Sequence, residues 1–176
     1  MVADCHHLKP IADFSQDSDR YYLLELTQHG VYLHAGSRSE LRAIPLPGVP
    51  ANVTEANAAH ATEPYLEVRT THGAGQGPAQ VFGSIGDTHD KERISHYFQQ
   101  VDAAVGALLH AERVPLVLAG VDFLIPLYRQ VNHYQHLLPV SVPGNPDLAS
   151  TSSLHERSWA IVAAHQQQLV QELGSR

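Results

Sequence analysis

The sequence predicts an α/β protein, a single domain built on one mixed β-sheet with helices packed against it. Three observations predict this. Short apolar runs at 20–26, 30–36 and 40–46, joined by the tight links "TQH" and "SRS", read as an antiparallel meander. Between Asp90 and Glu112 the apolar period lengthens to three and four residues, the mark of an amphipathic helix. The run "VPLVLAG" at 114–120 is apolar throughout, as suits a strand covered on both faces.

The elements follow in order. Residues 1–19 read as a lead-in and 20–173 as the domain, with no internal boundary or repeat. "RYYLLEL" is β-rich, and its paired tyrosines suit strand packing. The stretch from Pro47 to Glu63 reads as an excursion with a helical turn around Glu55–His60. "PYLEVRTT" at 64–71 alternates apolar and polar residues, as a half-exposed strand does. In the long helix Ile94, Tyr97, Phe98, Val101, Val105, Leu108 and Leu109 form one apolar face, and Asp87, Thr88 and Asp90 offer capping groups at its start. A helix is expected from Asp122, with Pro126 tolerated in its first turn and Asp122 itself as a capping acid. "LLPVSVPGNPD" reads as a short strand and a turn. Ser153 and Glu156 have capping-box spacing and are expected to open a last helix to about Leu173, with Leu154, Ile161, Val162, Leu169 and Leu173 on one side and Trp159 as a core anchor.

Bulk composition narrows the function. A chain of 176 residues with 43% apolar and 16% charged residues is ordinary for one globular domain. One cysteine, Cys5, excludes an internal disulfide and fits a reducing compartment, so the expected location is the cytoplasm. The most apolar stretch carries Asp122, Pro115 and Pro126 and is too short to span a bilayer. A net charge of −7 argues against a broad nucleic-acid-binding face, which would need clustered Lys and Arg, although 13 scattered histidines offset part of it just below neutrality.

The stretch with chemical interest is "TTHGAGQGPAQVFGSIGDTHDKERISHYF", residues 70–98, in which Gly73, Ala74, Gly75 and Gly77 surround Gln76 directly before the long helix. Glycines there permit backbone angles and close approaches that a Cβ forbids. A metal or anion site built from His72, Asp87, His89, Asp90 and His96 is a rival reading, but the spacing matches no established ligand pattern and no metal or cofactor is expected. Glu25, Glu40 and Asp122 are the acids available for a metal-dependent nuclease. His133 and His136 read as helix-end or surface residues.

Three strings resemble the bacterial archaeo-eukaryotic release factor proteins, relatives of the middle domain of peptide release factors and of the rescue protein Pelota. They are "RYYLLELTQHGVYLHAGSRSELRAIPLPGVP", "DKERISHYFQQVDAAVGALLHAERVPLVLAGVDFLIPLYRQVN" and "HLLPVSVPGNPDLASTSSLHERSWAIV". The resemblance implies a ribonuclease-H-like mixed sheet. It implies a ribosome and peptidyl-tRNA as partners, and Gln76 with Gly75 at the place of a Gly-Gly-Gln loop that promotes peptidyl-tRNA ester hydrolysis. Gly73, Ala74, Gly77, Lys91 and Arg93 would flank that loop. Domains that relatives carry before and after this one are expected to be absent. Ala74 departs from the triplet, and the acids Asp87, Asp90 and Glu92 suit ribosomal RNA poorly. A binding domain that kept the fold and lost the hydrolysis therefore stands beside the catalytic reading.

Overall fold

The computed structural model describes residues 19–60 and 88–174, so the strand expected at 64–71 lies outside it. Strands β1 (Tyr21–Leu26), β2 (Val31–Gly36) and β3 (Leu41–Ile44) form the meander. Helices α1 (Val53–His60) and α2 (Thr88–Leu109) follow, then β4 (Leu116–Gly120), α3 (Leu124–Val131), β5 (Val142–Pro143) and α4 (Thr151–Gly174). The sheet order is β3-β2-β1-β4-β5. β1 pairs antiparallel with β2 and parallel with β4, which makes the sheet mixed and places the wholly buried β1 and β4 at its centre.

Strand alternation sorts β1 onto two cores. Tyr22, Leu24 and Leu26 join Leu33 of β2 and the apolar stripe of α2, where Ile94, Tyr97, Phe98, Val101, Val105 and Leu109 are all buried. α3 adds Leu124, Ile125, Tyr128 and Val131 to the same core. Tyr21 and Leu23 face the other way, with Val117 and Ala119 of β4, and α4 covers them through Leu154 and Val162. The result is a three-layer sandwich, helices on both faces of one sheet.

Three expectations are corrected. Asp122 does not cap α3, which begins at Leu124 with Phe123 at the N-cap and no side-chain cap; instead the Val121 carbonyl accepts from the backbone N–H of Leu124 at 3.0 Å. α4 starts one turn before the expected capping box, because the Ser150 hydroxyl accepts from the Ser153 N–H at 3.2 Å. The apolar side of α4 is buried only in its first half, through Leu154 and Val162. Leu169 and Leu173 are 46% and 77% exposed because the helix outruns the sheet. Trp159 does anchor its turn, half-buried against the Tyr21 ring at 6.1 Å.

Gly36 has a local reason to be glycine. It lies opposite Tyr21 in the register, and a Cβ on it would meet the Tyr21 ring at 2.3 Å. The ring cannot swing away easily, since its hydroxyl is held 2.8 Å from Ser158 Oγ on α4. Gly36→Ala is expected to lower stability by about 1–3 kcal/mol through overpacking, measured by urea denaturation.

Candidate functional site

Gln76, Gly75, Gly73, Ala74 and Gly77 lie outside the described residues, as do His72 and Asp87. The flanking cations are described. Lys91 and Arg93 are both exposed on the first turns of α2, and Arg93 makes an i,i+3 pair with Asp90 at 3.9 Å. Lys91 has no carboxylate partner among the described residues.

Lys91 lines a groove of about 490 Å³ between α2 and α3, with Glu92 and Ser95 on one wall and Phe123, Pro126, Leu127 and Gln130 on the other. Its position follows from topology. β1 and β4 run parallel, and the chain leaving the C-terminal end of β4 at Gly120 enters α3 through Phe123. Crevices at the carboxyl ends of parallel strands are where open α/β sheets place ligands. Gly120 permits the close strand approach there, since a Cβ would come within 2.9 Å of the Leu26 carbonyl oxygen.

Further along the two helices, Asp102 is buried within the apolar stripe of α2. Its Oδ1 accepts from the His133 backbone N–H at 3.1 Å, and its Oδ2 lies 2.7 Å from His133 Nδ1. The partner being a carboxylate, Nδ1 carries the proton, and Nε2 is turned outward on a side chain 87% exposed. His133 is thus a surface residue after α3, as expected, but it is tied down. The phenol of Tyr128 is pushed well above its ordinary range, first by burial and second by the Asp102 charge. Sequence reading missed Asp102; the available signal was an acid inside an apolar helix face.

Burial also raises Tyr97 and Tyr134 from 10.0 to about 12, desolvation outweighing the opposing backbone hydrogen bonds, with Val31 for Tyr97 and with Val114 for Tyr134. A raised phenol pKa means the folded chain holds protons that the unfolded chain releases above pH 10. The stabilisation is therefore complete below about pH 10 and lost as pH rises toward about 12. The tyrosinate absorbance contributed by Tyr97 and Tyr134, read as the difference between wild type and their Phe variants, is expected to rise together with loss of circular dichroism, not before it.

The candidate nuclease acids do not converge. Glu25 is buried on the α4 side of β1, with Oε1 2.8 Å from His34 Nε2. That pair is close in distance but not aligned, and both His34 ring nitrogens lack a well-directed hydrogen bond. Glu40 sits at the opposite end of the hairpin beside Arg42, and Asp122 is exposed. His96 and His136 are exposed, the latter edge-on to the Tyr134 ring. Among the described residues no three His, Cys, Asp or Glu side chains gather as a metal site. None of the described helices is long and apolar enough to cross a membrane.

No curated protein matches the chain. The family model described as bacterial archaeo-eukaryotic release factor family 7 matches residues 21–164, from the first residue of β1 to the middle of α4. That span holds the whole five-stranded sheet, the groove and the Asp102 clamp, and by it the chain belongs to the bacterial archaeo-eukaryotic release factor family, with a release-factor-related role.

Proposed function

We propose that the chain is a ribosome-associated, cytoplasmic translation module of the release and rescue type. The observation that carries this is the family match over residues 21–164. The strand order β3-β2-β1-β4-β5, with two antiparallel pairings followed by two parallel ones, supports reading the fold as ribonuclease-H-like.

Gln76 is the residue proposed to act. Held at the tip of a glycine-rich loop, its amide would orient a water for attack on the peptidyl-tRNA ester, with the Gly75 backbone N–H as a donor to the developing oxyanion. Such a group works by position and requires no shifted pKa. Lys91 and Arg93 lie just after the loop in sequence and are proposed to steer it toward RNA.

Ala74 and the acids Asp90 and Glu92 favour a second reading, a domain that binds without hydrolysing. Peptide release from ribosome-bound peptidyl-tRNA separates the two. The catalytic reading expects release by the wild type and a loss on the order of a hundredfold in Gln76→Ala. Equal rates for the two proteins would sink it.

A further inference from the structure

We propose that the groove between α2 and α3 holds one unpaired RNA nucleotide, its base on Phe123 and Leu127 and its phosphate at Lys91. The choice of RNA rests on the ribosomal reading above; the shape and chemistry of the groove are independent of it. A volume of about 490 Å³ lies within the range of small-ligand sites. Single-stranded RNA is recognised by stacking on an aromatic or apolar face, by amide and hydroxyl contacts to base edges, and by a cation at the phosphate. The walls supply one of each: the half-buried Phe123 ring, the Gln130 amide with the Ser95 hydroxyl, and the Lys91 ammonium. Glu92 on the same wall is already engaged within the molecule.

Other occupants fit less well. An amphipathic helix needs apolar anchors along several turns, whereas Phe123, Pro126 and Leu127 form one short patch. Of the large exposed apolar residues described, Leu169, Val170 and Leu173 lie on the helix that packs on the opposite face of the sheet, and Tyr32, Val140 and Leu148 stand on three separate segments of the chain.

Amide chemical shifts of the full chain, titrated with a short oligouridylate at low salt, test this directly. Saturable shifts are expected at Lys91, Ser95, Phe123, Leu127 and Gln130. Phe123→Ala should weaken binding on the order of tenfold or more, and Phe123→Trp should restore it. Lys91→Gln should flatten the log–log salt slope by about 0.7, the share of one single-strand phosphate. If Phe123→Ala does not keep the native spectrum, Lys91→Gln and Gln130→Ala, both at exposed positions, decide the matter. The proposal is overturned by shifts that fail to saturate, by shifts outside the groove, or by groove shifts that follow protein concentration alone and mark a second copy. Oligouridylate binding without ribosome sedimentation would uphold the groove and defeat the functional reading. Sedimentation without oligouridylate binding would do the reverse.

Discussion

Phe98→Ala is expected to destabilise the protein by about 3–5 kcal/mol, the largest effect of any single truncation considered. Phe98 is 2% exposed and stands where three elements meet. Its ring is edge-on to Tyr128 of α3 at 5.6 Å and tilted against its neighbour Tyr97 at 6.1 Å, with the even-numbered side chains of β1 beneath. Removing the ring opens a cavity whose walls belong to α2, α3 and the sheet, so no single side chain can collapse into it. Urea denaturation should show a lower midpoint with an unchanged slope. Phe98→Leu should recover most of the loss, since it restores the greater part of the volume. A loss below about 1 kcal/mol for Phe98→Ala would mean that the three elements do not share one packed core.

Asp102→Ala should cost about 2–3 kcal/mol, for a different reason. The carboxylate is buried, yet it accepts two hydrogen bonds from one residue, the His133 backbone and ring N–H groups, and so ties the chain leaving α3 to the middle of α2. Bonds to a charged acceptor contribute more than neutral ones, and their loss is only partly offset because His133 can turn to water. His133→Ala removes the ring bond but keeps the backbone one, and should cost about 1 kcal/mol. A double-mutant cycle between Asp102→Ala and His133→Ala should therefore show coupling, and strict additivity would count against the clamp.

The contrast between these two residues shows what the sequence carries. Phe98 was legible because it repeats with Ile94, Val101 and Val105 at helical spacing, and one face of α2 is enough to place it. β1, β2 and β3 were legible for a similar local reason, short apolar runs cut by polar links. The Asp102–His133 contact spans 31 residues and has no local period. The capping errors at Asp122 and Ser153 have one cause. Several side chains near each helix start could accept a backbone N–H, and the winner is fixed by how the preceding strand or turn delivers the chain: through the Val121 carbonyl in one case, through the Ser150 hydroxyl in the other. The far end of α4 misled because periodicity records which residues could share a face, not where the sheet beneath them stops. The groove was half legible: Lys91 stands just after the glycine-rich stretch of sequence, but Phe123 and Gln130 become its wall only once β4 delivers α3 alongside α2.

For the candidate site itself, glycine spacing and family likeness direct attention to Gln76, and the described residues supply its setting. That setting is a long helix, α2, whose first turns carry Lys91 and Arg93 and whose stripe is locked to the sheet.

We propose above that this protein works on the ribosome. Sedimentation of the full-length protein with ribosomes through a sucrose cushion, at low and then raised salt, tests it most directly. The protein is expected to pellet with ribosomes at low salt, to be released as salt rises, and to bind more weakly when Lys91 and Arg93 are together replaced with glutamine. Protein that stays in the supernatant at every salt concentration, with ribosomes present in excess, would contradict it.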